Sequence, residues 1–145
     1  MRILARLPLA VLLLAGFTAA AMADPAQNYM LYCMGCHGAQ AEGVPGKVPA
    51  LAHSLGNFMR LPAGRDYLLR VPGAANTVLN DADLTAVLNW LAAEYSAEEI
   101  KTGVAPFSVE EVTAHRHEPL IAVLARRREV IRALQANGIG IAENY

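Results

Sequence analysis

Cysteine is scarce in this chain, whose 145 residues include only Cys33 and Cys36. A closed zinc site needs a tetrahedral set of ligands, usually completed by a second Cys or His pair, and no further cysteine is present. A thioredoxin-like redox pair belongs to a βαβ pattern, which the sequence does not show. Basic residues form no stripe, which argues against a nucleic-acid partner. After residue 23, no apolar run approaches the length of a membrane-spanning helix.

The residues around the two cysteines read Tyr-Cys-Met-Gly-Cys-His-Gly, from position 32 to position 38. Cys33, Cys36 and His37 have the spacing of a covalent haem c attachment site. Two thiols on one helical turn can each bond a vinyl group of the porphyrin, and the adjacent imidazole can bind the iron as its axial ligand. The motif therefore predicts one covalent haem c, held by Cys33 and Cys36 and ligated by His37. With both thiols used, no structural disulfide is expected.

The first 23 residues have the three parts of a secretory signal peptide. Arg2 and Arg6 form a positive start, residues 7–20 form an apolar stretch, and Ala21-Met22-Ala23 is a small-x-small cleavage site. The stretch is shorter than a spanning helix needs, which favours cleavage over an uncleaved membrane anchor. We expect an exported, periplasmic chain that begins at Asp24. Removing two arginines from the twelve basic residues leaves ten against thirteen acidic ones, a net charge of −3.

Turn and capping residues divide the mature chain into helices and one long loop. We predict a first helix over residues 26–36, a loop over 38–55 and a short middle helix over 65–71. The sequence Asn80-Asp81-Ala82-Asp83 predicts the start of a terminal helix. Its apolar residues then recur at helical spacing: Leu84, Val87, Leu88 and Leu91.

Residues 24–95 resemble the small class I cytochromes c over their whole length, with the attachment motif on the first helix and an apolar terminal helix. The resemblance implies an all-α fold around the haem. Tyr29 stands where the family keeps an aromatic residue that packs on the terminal helix, here against candidates such as Trp90. Pro49 stands at the family's loop proline, beside which a backbone carbonyl accepts the ring N–H of the histidine ligand. That bond would fix the tautomer of His37 and make it a better donor to iron.

The segment between the middle and terminal helices departs from the family pattern. Class I cytochromes usually carry a distal methionine there, whereas residues 71–80 contain no methionine, histidine or lysine. The sixth iron position is left to Asn76, to water, to Met59 or to no ligand at all. The sequence favours Met59 as a core residue that fills a packing gap rather than as an iron ligand. His53 is interpreted as a surface residue or one directed towards a haem propionate. His115 and His117 are interpreted as solvated residues.

Residues 96–145 form a helical extension that small class I cytochromes usually lack. Ser108-Val-Glu-Glu111 has the form of a capping box, and a longer helix is predicted from Pro119 to Asn137-Gly138. That helix has one apolar face: Leu120, Val123, Leu124, Val130, Ile131 and Leu134. Its arginines are expected on the other side or at the edges: Arg126, Arg127, Arg128 and Arg132. The helix reads either as docked on the haem domain or as a docking element for a redox partner or membrane headgroups.

These features predict an all-α monohaem cytochrome c, with a haem domain over 24–95 and the extension over 96–145. Its expected work is to carry single electrons from a periplasmic dehydrogenase or other redox enzyme to a cytochrome or oxidase of the respiratory chain. An open sixth iron position would instead favour binding of small ligands, as in gas sensing or peroxidase-like chemistry. The absence of a clear distal acid or base argues against an enzyme. A third alternative is a fixed haem subunit of a larger complex, with residues 96–145 as its interface.

Overall fold

A computed structural model describes residues 23–141, and that part of the chain is helical with no β-strand. The predicted signal peptide lies outside the described residues except for its last position. The helices follow one another in this order: α1 Pro25–Tyr32, α2 Met34–His37, α3 Leu55–Phe58, α4 Pro62–Arg70, α5 Pro72–Ala75, α6 Asp81–Tyr95, α7 Ala97–Ile100, α8 Val109–His115 and α9 Val123–Ala136. The predicted all-α fold is confirmed. None of these helices is long and apolar enough to cross a membrane.

The predicted first helix is two helices, because the chain leaves helical geometry at Cys33. Asp24 caps α1 by accepting from the Ala26 N–H at 3.1 Å, and Pro25 takes the first helical position. At Cys33 the backbone turns to φ −126° and ψ −38°. The Cys33 carbonyl then accepts from both the Cys36 and the His37 N–H, at 3.1 and 3.0 Å. The attachment motif is therefore a separate turn rather than the last turn of one helix.

The terminal helix α6 forms as predicted and crosses α1. The Asn80 side chain accepts from the Asp83 N–H at 2.8 Å, which caps the helix. Tyr29 and Trp90 meet with ring centroids 5.5 Å apart, so the predicted aromatic contact between the first and terminal helices is confirmed. The helix buries the residues whose spacing predicted it: Leu84, Val87, Leu88 and Leu91. Each such side chain stabilises the fold by roughly 1.5–3 kcal/mol relative to an exposed one.

The middle of the chain is more helical than predicted. The short helix α3 begins at the end of the expected loop, and α4 starts at Pro62 instead of residue 65. Leu61 is extended, with φ −121° and ψ 142°, as the residue before a proline prefers, and Pro62 can then open the helix. Gly64 lies against the backbone carbonyl of Phe58, where a Cβ atom would clash. The glycine therefore allows α3 and α4 to approach closely.

The C-terminal extension contains the predicted caps but not all the predicted bounds. Ser108 accepts from the Glu111 N–H at 3.2 Å and opens α8, which continues to His115. The last helix begins at Val123, four residues after Pro119, so its predicted start is wrong. The reason is tertiary, because the Leu120 N–H donates to the Arg70 carbonyl at the end of α4, at 2.8 Å.

The apolar face of α9 packs against the rest of the fold, but two of its residues differ from the prediction. Val130, Ile131 and Leu134 are buried as predicted, whereas Leu124 is exposed. Arg127 is buried, so its predicted place among the outward or edge arginines is wrong. The arginine cluster is thereby divided between the interior and the surface.

Two further arginines fasten the extension to the preceding helices. Arg65 of α4 donates to both carboxylate oxygens of Glu111 at 2.6 Å. Arg116 follows α8 and is 4% exposed. It donates to the Thr77 and Leu79 carbonyls at 3.0 and 2.9 Å and to Asp81 Oδ1 at 2.9 Å. Residues from both parts of the chain share one apolar core. The boundary between residues 95 and 96 stays a prediction about domain organisation.

Candidate functional site

A cavity of about 300 Å³ lies between the attachment motif and the helices that face it. We call it the central cavity and define it by the following residues: Tyr32, Cys33, Cys36, His37, Lys47, Val48, Pro49, Ala50, Leu51, Ser54, Leu55, Phe58, Tyr67, Leu68, Val71, Gly73, Ala74, Thr77, Leu84, Val87, Leu88, Leu91, Val123 and Arg127. Most of these side chains are apolar. Such a wall suits a large hydrophobic group with few polar contacts.

The three residues of the attachment motif converge on this cavity. Cys33 is half-buried and Cys36 is exposed, so one thiol lies at the wall and the other at the mouth. Burial raises the pKa of the Cys33 thiol and lowers the pKa of the His37 imidazole, since both charged forms lose hydration. No disulfide joins the two cysteines. The arrangement leaves both sulfurs and one ring nitrogen available to a ligand in the cavity.

The orientation of His37 is set by the loop that follows it. Its Nδ1 lies 3.2 Å from the carbonyl oxygen of Pro49. A carbonyl can only accept, so Nδ1 carries the proton and donates, and Nε2 is the nitrogen with a free lone pair. The acceptor is the carbonyl of Pro49 itself. Such a bond fixes the ring and increases the basicity of the ligating nitrogen.

The backbone of the loop is held close to His37 by Gly43. Its N–H donates to the His37 carbonyl at 2.7 Å. Gly43 has φ +68°, and a Cβ atom there would lie 2.7 Å from the carbonyl carbon of Pro49. Glycine alone tolerates both the left-handed backbone and this approach. A single antiparallel bridge between Val44 and Val48 then returns the chain to Pro49. The predicted loop therefore serves to place one carbonyl oxygen.

The donor set fits a covalently attached haem: two thiols, one oriented imidazole and a mainly apolar wall converge on one cavity. No protein-family model matches the chain. The chain is 32% identical to a cytochrome c-552 of Thermus thermophilus, in an alignment that covers 81% of this chain and 93% of the relative. A second cytochrome c-552 of Thermus thermophilus is 30% identical, with 74% of this chain and 97% of the relative covered. The chain belongs to the class I monohaem cytochrome c family.

As a class I cytochrome c, the protein carries haem c, with iron, as its covalently bound cofactor. It is an electron-transfer protein rather than a catalyst, and its partners are redox proteins.

The residues considered as sixth ligands do not line the central cavity of this cytochrome c. Met59 is buried, 3% exposed, but it lines a separate cleft beside Pro62 and Val104. Asn76 is exposed at the end of α5. The remaining histidines each lie near a carboxylate outside the cavity: His53 with Glu99, His115 with Asp66 and His117 with Asp81. Met59 and Asn76 therefore do not contribute to the wall of the central cavity.

Two residues of the central cavity, Val123 and Arg127, lie on α9, in the segment predicted to form an extension outside the haem domain. The Arg127 guanidinium carbon lies 5.0 Å from the centroid of the Phe58 ring. The signal was present in the spacing, because position 127 falls four residues after Val123 and three before Val130, on the buried stripe of the helix. An arginine on such a stripe has to meet a polar or aromatic partner when it is buried. The extension therefore supplies part of the wall of the central cavity.

Proposed function

We propose that Cys33 and Cys36 attach the haem, that His37 binds its iron through Nε2, and that the protein carries single electrons between redox enzymes of the periplasm and the respiratory chain. The observation that carries the proposal is the convergence of both thiols and the oriented imidazole on one mainly apolar cavity. When bound, the haem iron supplies a one-electron couple.

The chain's own residues would tune that couple by burial and orientation. The Pro49 carbonyl holds the His37 proton on Nδ1 and keeps Nε2 directed away from it. Apolar side chains of α3, α4 and α6 exclude water from the cavity, and a low dielectric favours the haem state with the smaller charge. The buried guanidinium of Arg127 adds a fixed positive charge at the wall.

Electron exchange would take place at the edge of the cavity beside Cys36. The three residues before Cys33 are exposed and apolar or aromatic: Met30, Leu31 and Tyr32. Tyr32 also lines the cavity. A small exposed apolar surface of this kind suits a brief encounter with a redox partner, which needs little buried area. We propose a periplasmic dehydrogenase or other redox enzyme as donor, and a cytochrome or oxidase as acceptor.

Export is part of the proposal, because haem is joined to cysteines outside the bacterial cytoplasm. Residues 1–23 are proposed to direct export and to be cleaved before Asp24. The amino-terminal sequence of the purified protein tests this directly. A chain that begins at Asp24 is expected, whereas one that retains Met1 and stays with the membrane fraction would contradict the signal peptide.

The attachment residues are tested by the mass of the denatured protein. Wild type is expected to keep haem under denaturing conditions, and the double variant Cys33→Ala/Cys36→Ala is expected to lose it. Met34→Leu is the matched control, since Met34 lies within the motif but does not line the cavity. Covalent haem in the double variant would refute the assignment. Single-turnover reduction of the haem-loaded wild type by a small electron donor, followed by reoxidation by a second cytochrome, tests the electron-transfer function.

A further inference from the structure

We infer that this chain supplies the haem iron with no second strong ligand and that the sixth position accepts a small neutral diatomic molecule of the carbon monoxide or nitric oxide class. The inference rests on the proposed attachment of haem through Cys33, Cys36 and His37. It concerns which side chains could bind the iron on the side of the haem opposite His37.

The other three histidines lie outside the cavity, each beside a carboxylate. His37 is the only histidine that lines it among the described residues. The side chain of His53 is 81% exposed and lies 3.4 Å from Glu99. His115 and His117 are also exposed, beside carboxylates of Asp66 and Asp81 at 3.1 and 3.7 Å. A second imidazole ligand would have to leave these positions and cross the fold.

Thioether donors are also absent from the cavity wall formed by residues 23–141. Met30 is 57% exposed, and Met34 packs against the edge of the core. Met59 is buried in the core and borders the separate cleft. The other two methionines, Met1 and Met22, belong to the segment proposed to be removed. Residues 142–145 read Ala-Glu-Asn-Tyr and contain no thioether, imidazole or amine side chain.

The polar side chains that do line the cavity are poor substitutes. A guanidinium has no lone pair to give, so Arg127 cannot ligate iron. Lys47 is exposed and lies two residues before Pro49, on the loop that orients His37. Tyr67 is buried with its ring 5.4 Å from that of Phe58, and Tyr32 is 50% exposed. Ser54 and Thr77 offer only neutral hydroxyls. Neutral hydroxyls bind haem iron weakly.

The apolar side chains of the cavity wall favour a neutral ligand over a charged one. Side chains of α4, α5 and α6 that line the cavity include Leu68, Ala74, Leu84 and Leu88, together with Val71 between the first two of these helices. An anion beside these five side chains would lose its hydration without gaining hydrogen bonds from them, whereas a neutral diatomic loses little. Carbon monoxide and nitric oxide also bind reduced haem iron directly. The proposed site is therefore a small-ligand site on an electron-transfer protein.

The test is a titration of the reduced, haem-loaded protein with carbon monoxide, repeated with nitric oxide. We expect a complete shift of the Soret band with each gas and a high-spin spectrum without it. A low-spin spectrum with no response to saturating gas, together with the long-wavelength band of thioether-ligated ferric haem, would overturn the inference. Loss of covalent haem in the denatured wild type would instead refute the proposed function, so the two failures are distinguishable.

Variants make the result specific to the candidate ligands. Met59→Leu conserves volume and should fold, and its spectrum and carbon monoxide response should equal those of wild type. Tyr67→Phe should behave likewise. Met30→Leu is the matched control at an exposed methionine. A carbon monoxide response that appears only in Met59→Leu or only in Tyr67→Phe would identify that side chain as the iron ligand and overturn the inference.

Discussion

Replacement of Arg116 by alanine should destabilise the folded protein more than replacement of an exposed arginine on the extension. Its guanidinium connects the end of α8 to the segment before α6, through the Thr77 and Leu79 carbonyls and Asp81. The residue is 4% exposed, so its partners would lose bonds that water cannot easily replace.

The expected cost follows from these three bonds. Hydrogen bonds to a charged group contribute about 1.5–3 kcal/mol each. The full sum is too large here, because Asp81 is partly exposed and keeps a second bond from the Thr113 hydroxyl at 2.6 Å. Leaving a buried carbonyl such as that of Leu79 without its donor costs about 1–3 kcal/mol, and we expect Arg116→Ala to fall at the upper end of this range.

The assay is unfolding of the haem-loaded protein in guanidinium chloride, followed by far-ultraviolet circular dichroism. Arg128→Ala is the matched control, since Arg128 is exposed on α9 and the change should alter the free energy of unfolding by less than about 0.5 kcal/mol. Equal midpoints for Arg116→Ala and Arg128→Ala would refute the reasoning. Such a result would mean that the extension is held mainly by its apolar contacts.

Three further predictions concern Tyr29, Glu111 and Arg127. Tyr29→Phe removes the hydroxyl that donates to the Gly38 carbonyl at 2.6 Å and should cost about 1 kcal/mol in denaturant unfolding. Burial raises the pKa of Tyr29 to about 12, so this cost should not vary with pH near neutrality; a pH-dependent cost would contradict it. The hydrogen bond from Arg65 lowers the pKa of Glu111 from its ordinary value of 4.5. The difference in free energy of unfolding between wild type and Glu111→Gln is therefore present above that value and is lost as pH falls through the lowered pKa. An undiminished difference at acid pH would show that the charge of Glu111 is not responsible. Arg127→Leu should lower the reduction potential, because a buried cation disfavours the more positive oxidised haem; Arg128→Leu is the control, and equal potentials would exclude this role.

Local signals were sufficient for the elements whose ends are determined by their own residues. Asn80 and Ser108 each accept from a backbone N–H three residues later, and both helices start where these caps predicted. The contact between Tyr29 and the terminal helix was predictable from the family resemblance, which offered Trp90 as one of several counterparts.

Features that depend on distant partners were not predictable in this way. Leu120 is held out of α9 by the Arg70 carbonyl, fifty residues earlier in the chain. The pattern predicts Arg127 on the polar side or at the edge of the helix, where arginine usually lies. Its position on the helix instead places it in the cavity wall. The break at Cys33 lies in the dihedral angles of its own backbone, which composition does not reveal.

The position of α9 also has a consequence for the order in which the protein matures. Val123 and Arg127 come from the last helix of the chain, whereas the attachment motif lies on its second. In the proposed export, the motif would leave the cytoplasm long before the last part of the wall. Haem could then be joined to the cysteines while that side is still open, and docking of α9 would close the site around it. Closure after attachment would make the C-terminal helix a checkpoint for correctly loaded protein.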